Sequence, residues 1–409
     1  MTDRYSALAQ LQKIRAFVAV SEHGNVHRAA AALHLSQPAV TRAVRSLEEA
    51  IGVTLFERTT KGMQLTAAGR GVYCRAQSAL GELHLAGDEI LKLSASSAGR
   101  APPPERLSTA VTEGMLASLV AVARGGSEAA AAAIVNLSQP AISRNLQLLE
   151  HVAGASLFSR SGRGTRLTDA GEVLLRHAKL TLAEIRVAAE ELASMQGNLD
   201  GHIVIGALPL SSSHLVPQAV DQTLREHPGL RISIVDGTYE TLSRGLRCAD
   251  VSLIVGALRS SQDERYLIHE PLFEDSLSVI ARMHHPVVQR CNPATSLRDL
   301  GNESWVVPLP GTPARAAFER AFRAESVDPP QTQLQANSPA IVRSLLLSSD
   351  RLALLSTRQV QQELRQGILV VVPVAVQHTQ RTIGLAHLRG SKPSPGLVVL
   401  INAFRELAE

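Results

Sequence analysis

Cysteine is scarce: Cys74, Cys248 and Cys291 are the only three in 409 residues. An odd, widely spaced set of three cannot build a disulfide framework and fits a reducing compartment, so they are read as incidental thiols. No run of about 18 apolar residues is present, and the first residues lack the basic start, apolar core and small-residue cleavage site of an export signal. These absences predict a cytoplasmic protein with no membrane partner. An excess of one charge is missing too, since Lys and Arg number 41 against 37 Asp and Glu, so any basic surface must be local.

Catalytic strings are also absent: there is no GxSxG elbow, no HExxH and no phosphate-binding P-loop. Ser211, Ser212 and Ser213 stand beside His214, but neighbours on one turn cannot assemble a Ser-His-acid geometry. His284 and His285 are adjacent and directly precede Pro286, a poor spacing for metal ligands, and are read as surface residues. No enzyme, metal site or cofactor is predicted. What is present is 45% hydrophobic and 19% charged residues, the balance of a folded globular chain long enough for two to four domains.

The first half repeats itself. At an offset of 102 residues SQPAVTRAVRSLE from Ser36 lies on SQPAISRNLQLLE from Ser138, LFER from Leu55 on LFSR from Leu157, and LTAAG from Leu65 on LTDAG from Leu167. No gap is needed and apolar positions such as Val40 with Ile142 and Val44 with Leu146 stay apolar, so a structural unit is duplicated. Between the copies SASSAGRAPPPE, from Ser94 to Glu105, reads as a semi-rigid linker that cannot continue a helix. A long helical stretch follows each copy, from Arg70 to Leu93 and from Gly171 to Met195. The second carries an apolar stripe of Leu174, Leu175, Ala178, Leu182, Ile185 and Ala189 that calls for a partner helix.

Within the first copy, Val18, Val20, Ala29, Ala32, Leu33 and Leu35 predict two short amphipathic helices broken at Gly24, and Ser36 is expected to cap a third through its side chain. On that third helix Val40, Val44 and Leu47 fall on one face, which leaves Gln37, Thr41 and Arg45 opposite, with Pro38 and Arg42 beside them. Short polar groups and a flat proline let a helix lie deep in a DNA major groove, where Gln can pair with adenine edges and Thr or Pro can touch a thymine methyl. Arg42 and Arg45 suit flanking phosphates. Arg58, Thr59, Thr60, Lys61 and Gly62 read as the basic tip of a two-stranded wing.

The string AAAALHLSQPAVTRAVRSLEEAIGVTLFERTTKGMQLTAAG closely resembles, along its whole length, the amino-terminal domain of LysR-type transcriptional regulators. Carried over by position, the resemblance implies base-proximal roles for Gln37, Pro38 and Thr41 and phosphate roles for Arg42, Arg58 and Lys61. In the second copy the matching positions are Gln139, Pro140, Ser143, Arg144, Arg160 and Arg163. That copy departs from the pattern at Gln147, which replaces Arg45, and in an alanine run from Ala129 to Ala133 expected to weaken its helix. In the resembled family one such domain precedes a long helix that pairs with the same helix of another subunit. Two arrangements are open here: the two long helices pack antiparallel within one chain, or they pair between chains and give four readers per dimer.

Beyond Gly197 short strands, HIVIGAL, RISIVDG and DVSLIVGAL, alternate with helical stretches and predict an α/β domain with a mostly parallel sheet. GHIVIGALPL and HPGLRISIVDG resemble the effector domain of the same family, a two-lobed fold similar to type 2 periplasmic binding proteins, with VDGTYETL and GALRSS most like the branch of the galactose-binding-protein and protocatechuate-pathway regulators. The predicted architecture is therefore multidomain, with two winged helix-turn-helix domains (8–69 and 107–171), their long helices (70–94 and 172–197), a linker (95–106), and an effector domain of lobe one (201–268 plus 372–409) and lobe two (269–371).

Ligands of such folds bind beyond the carboxyl ends of strands and near helix N-termini. Candidate ligand-binding residues are Pro209, Leu210, Ser211, Ser212, Thr238, Gly311, Thr312, Asn337 and Ser338, for a small effector such as a carboxylate or a sugar. The expected partners are double-stranded operator DNA, that effector and further copies of the chain as a dimer or tetramer, with RNA polymerase admitted as another. The competing expectation is a ligand-binding or dimerisation protein in which the first helix-turn-helix alone, or neither, touches DNA.

Overall fold

Helices α1 (Thr2–Leu8), α2 (Leu11–His23) and α3 (Val26–Ala32) precede α4 (Gln37–Ile51), and strands β1 (Phe56–Thr59) and β2 (Gly62–Leu65) form a hairpin ahead of the long α5 (Ala67–Ser94). The order returns in α6 (Glu105–Ala110), α7 (Glu113–Gly125), α8 (Glu128–Val135), α9 (Gln139–Ala153), β3 (Phe158–Ser161), β4 (Gly164–Leu167) and α10 (Asp169–Met195). The structure, a computed structural model, describes residues 2–59, 62–94, 103–161, 164–209, 211, 213–259, 266–292, 294–331 and 334–409. Two units divide the chain, Met1–Gly201 with Cys248–Asp250, and His202–Arg247 with Val251–Glu409.

The shared motif letters have physical reasons. Glu48 of α4 accepts the backbone N–H groups of Leu55 (2.7 Å) and Phe56 (3.2 Å), and Glu150 of α9 accepts that of Leu157 (2.8 Å), so each carboxylate fixes the chain as it enters the hairpin. Thr66 and Thr168 cap the long helices by accepting from Gly69 and Gly171. A Cβ on either glycine would collide with the carbonyl oxygen of Leu55 or Leu157, which explains the glycine that ends both LTAAG and LTDAG.

Four local expectations change. Ser36 makes no side-chain cap bond, because its backbone carbonyl starts the helix by accepting from Val40 while the hydroxyl stays in solvent; Ser138 does cap, accepting from Ala141. Ala32 is exposed, and Leu35 lies beyond α3 in an exposed turn, as does its counterpart Leu137. The alanine run does not prevent α8, which Ser127 caps. The second copy also begins earlier than 107: α6 starts at Glu105, inside the expected linker, whose residues 95–102 lie outside the described ones.

Helices α5 and α10 pack antiparallel within the one chain: Gly71 lies near Met195, Thr181 donates to the Ala79 carbonyl at 3.2 Å, and Glu89 pairs with Arg176. Val72, Ala76, Ala79, Leu83, Ala86 and Ile90 form the buried stripe of α5, spaced 4-3-4-3-4. Adding 102 to each gives Leu174, Ala178, Thr181, Ile185, Ala188 and Leu192, all buried on α10. This is the heptad seam of a coiled coil, related by an approximate two-fold. Its charges obey the same operation. Arg75 reaches Glu184 (3.0 Å) and Glu191 (2.6 Å), while His177, its counterpart, lies 2.7 Å from Glu82 and 3.3 Å from Glu89.

The second unit runs β5 (Gly201–Ala207), α11 (Leu215–Glu226), β6 (Leu230–Asp236), α12 (Tyr239–Arg247), β7 (Leu253–Ala257) and β8 (Leu267–Asp275). It continues through β9 (Ser278–Arg282), α13 (Pro286–Arg290), β10 (Trp305–Val306), α14 (Pro313–Ala324), α15 (Pro339–Ser348), β11 (Leu352–Leu355), α16 (Gln361–Arg365) and β12 (Leu369–Val371), then returns in β13 (Arg381–Leu388) and α17 (Pro395–Glu406). One sheet has the order β6-β5-β7-β13-β8 and the other β10-β11-β9-β12.

The sheets are mixed, not mostly parallel. β5 with β7 and β10 with β11 run parallel, but β13 is antiparallel to β7 and β8, and β9 to β11 and β12, because strands that cross between lobes re-enter in the opposite sense. The lobe boundaries move accordingly. β8 pairs along its length with β13, so lobe one extends to Asp275 and resumes at Arg381. Asp275 joins the crossings, accepting from Ser356 at 2.6 Å and from Arg381 at 2.9 Å. His285 is not a surface residue: it is buried and its Nδ1 caps α13 by accepting from Val287.

Candidate functional site

Two surfaces collect the residues singled out above. On α4, Val40 (0% exposed), Val44 (5%) and Leu47 (0%) turn inward, and Gln37, Pro38, Thr41, Arg42 and Arg45 are all exposed on the other side. The Thr41 hydroxyl bonds back to the Gln37 carbonyl at 3.0 Å, and Arg45 pairs along the helix with Glu49 at 2.9 Å. On α9, Ile142, Leu146 and Leu149 are buried, Gln139, Pro140, Arg144 and Gln147 are exposed, and Ser143 is half-buried. Asn145 ties this helix to α7 through Gly114 (3.2 Å) and Ser118 (2.9 Å), a lock absent from the first copy, where alanine stands at 43. Lys61 and Arg163 lie outside the described residues, as do the side chains of Arg58 and Arg160.

A half-buried arginine joins the two copies. Arg15 of α2 crosses to the second copy and donates to the carbonyls of Ser108 (2.6 Å) and Val111 (2.7 Å). Burial pulls its guanidinium down to about 10, which leaves it charged at neutral pH.

In the second unit the lobes enclose a cleft of about 1290 Å³. Of the expected ligand residues, Pro209, Thr238, Gly311, Thr312, Asn337 and Ser338 line it. Ser211 does not: it is fully buried and donates to the carbonyls of Leu208 and Val255, so its hydroxyl belongs to the strand end. Leu210 and Ser212 lie outside the described residues. Thr312 caps α14, and the Asn337 side chain accepts from Leu309, so both hold the wall as well as lining it.

The cleft also contains charges that sequence reasoning missed. Arg259, Arg343, Arg358, Arg365 and Arg381 reach it from separate elements, together with His214. Arg259 pairs with Glu240 and lies 4.5 Å over the Tyr239 ring, Arg343 pairs with Glu363, and Arg381 with Asp275. Arg358 rests 4.2 Å over Phe273, and neither it nor Arg365 has an ion-pair partner among the described residues. Burial, and then the nearby Arg358 and Arg365, hold His214 below the ordinary histidine range. A largely apolar wall with unpaired guanidinium groups suits a small anion.

Comparison with known proteins agrees with this division. The family model "Bacterial regulatory helix-turn-helix protein, lysR family" matches residues 11–70 and again 114–172, and the "LysR substrate binding domain" model matches 196–409. The HTH-type transcriptional regulator GalR of Pseudomonas putida is 34% identical over 403 residues, 98% of each chain. The regulator PcaQ of Agrobacterium fabrum is 32% identical over 72% of this chain and 94% of its own, and GbpR of Azospirillum brasilense 28% over 68% and 81%. Among solved structures, a singly substituted full-length OxyR from Pseudomonas aeruginosa shares the fold at a TM-score of 0.55 and 22% identity, covering 72% of this chain and 98% of that one. Full-length CbnR complexed with its target DNA does so at 0.51 and 18%, covering 72% and 99%. No single helix among the described residues is long and apolar enough to cross a membrane. The chain belongs to the LysR family of transcriptional regulators, with a DNA-binding helix-turn-helix region at its amino end and an effector-binding domain at its carboxyl end.

Proposed function

We propose that α4 and α9 each enter a major groove, so that both copies act as DNA readers. Gln37 and Gln139 meet base edges there, Pro38, Thr41, Pro140 and Ser143 touch bases by contact, and Arg42, Arg45 and Arg144 grip phosphates. Arg58, Lys61, Arg160 and Arg163 of the wings add backbone contacts. The observation that carries this is that Gln37, Pro38 and Arg42 on α4 and the corresponding Gln139, Pro140 and Arg144 on α9 are all exposed, each set backed by a buried apolar stripe at the same positions.

The effector is a small carboxylated metabolite rather than a neutral sugar, held in the cleft by Arg358 and Arg365 and bounded by Pro209, Thr238, Gly311, Thr312, Asn337 and Ser338. Its binding between lobes joined at Asp275 changes how the readers engage the operator. Binding-site selection with the whole chain, repeated with Arg42→Ala and Arg144→Ala, tests the DNA half. Each change is expected to weaken binding about ten- to a hundredfold, roughly uniformly across sites. An unaffected Arg144→Ala chain would leave the second copy as a packing module.

A further inference from the structure

We propose that a single chain reads a complete operator whose two half-sites differ, α4 taking one half and α9 the other. This rests on both winged units touching DNA. It adds that the two readers are partners within one chain and that they are not interchangeable.

The pairing is closed inside the chain. Each of the six buried positions on α5 faces the matching stripe of α10, so neither seam is left for the long helix of a second copy. Arg75 and His177 each lie between two carboxylates of the opposite helix, which sets the register. The connection seals it. Gly87 of α5 lies so close to Pro104 that a Cβ would collide with it, which seats the start of α6 against α5 only seven residues before that helix ends at Ser94. That is about 10 Å of helix, and the ten residues from 95 to 104 can span up to about 33 Å. A tether of that reach holds the in-chain partner at millimolar effective concentration, so a second chain does not displace it.

The faces held in this way are not copies. Thr41 corresponds to Ser143, which is half-buried, and the Arg45–Glu49 pair corresponds to Gln147 and His151, the latter 3.0 Å from Arg106. An approximate two-fold places the half-sites in inverted orientation. Different side chains at the groove then demand different bases in them. The operator therefore has a direction.

Mixing separates in-chain from between-chain pairing. Full-length Arg42→Ala and Arg144→Ala chains each keep one intact reader, and both substituted side chains are exposed, so folding is not at risk. If readers pair within a chain, co-refolding the two variants from denaturant gives only the weakened affinity of the separate variants. Pairing between chains would create complexes with two intact readers, and recovery of tight binding by a substantial fraction of the mixture would overturn the proposal. An Arg144→Ala chain that binds like the parent fails differently, by removing α9 from DNA altogether. Site selection checks the asymmetry: the parent chain is expected to select two unlike half-sites, and Ser143→Thr with Gln147→Arg to shift selection towards a palindrome. A palindrome selected by the parent chain contradicts the proposal.

Discussion

The helix pair and the effector cleft use arginine in opposite ways. Arg75 is buried between Glu184 and Glu191, its charge answered inside the fold, whereas Arg358 and Arg365 face an open cleft with no ion-pair partner among the described residues. A desolvated charge with partners in place sets register, and removing it leaves those partners uncompensated. An unpaired charge at a concave surface is available to a ligand. The separation is testable because the two kinds of arginine should fail in different measurements.

The largest effect is expected at Arg75. Arg75→Ala leaves two carboxylates facing each other across the seam, and urea denaturation should show a loss of about 3 kcal/mol, with effector affinity unchanged. Arg358→Ala should do the reverse, lowering effector affinity about ten- to a hundredfold in a calorimetric titration while leaving stability within ~0.5 kcal/mol. An equal fall in both measurements for either variant would break the comparison. His177→Ala should cost less than Arg75→Ala, about 1 kcal/mol, because Glu82 and Glu89 are 26% and 41% exposed against 11% and 25% for Glu184 and Glu191. A larger loss at His177 would mean that exposure does not govern the strength of these clusters.

The smallest effect concerns pH. The lowered value of His214 means that the unfolded chain takes up a proton more readily than the folded one, so this residue costs stability as the pH falls through the ordinary histidine range. A bound anion offsets Arg358 and Arg365 and lets His214 take up that proton. Effector affinity should therefore rise, roughly several-fold, between pH 8 and pH 6. Affinity that falls over that interval would contradict an anionic effector beside His214.

Much of the helical half was legible because the repeat is gapless: one offset predicts the two hairpins and the reading helices, while helical spacing found only part of the α10 seam, including the half-buried Leu175 and Leu182 and leaving out Thr181, Ala188 and Leu192. The seam of α5 and the Arg75 cluster needed the fold, since nothing in the spacing of Arg75 says that its partners lie more than a hundred residues away. In the effector half, strand positions were readable from apolar runs, but strand direction was not, because β13 returns across both lobes before it pairs. Loops near the strand ends pointed to the cleft, yet Ser211 was misread: whether a loop hydroxyl faces ligand or backbone depends on which carbonyls approach it. The five cleft arginines come from four stretches of the chain, Arg358 and Arg365 sharing one, and converge only in three dimensions.

The central claim is that the two winged units of one chain are a matched pair of readers. It is tested most directly by titrating full-length protein into a labelled duplex carrying one selected operator, well above the dissociation constant, with hydroxyl-radical footprinting of the saturated complex. A matched pair within one chain gives a break at one chain per duplex, with two protected half-sites about one helical turn apart. A break at two chains per duplex, or protection of one half-site alone, would contradict it.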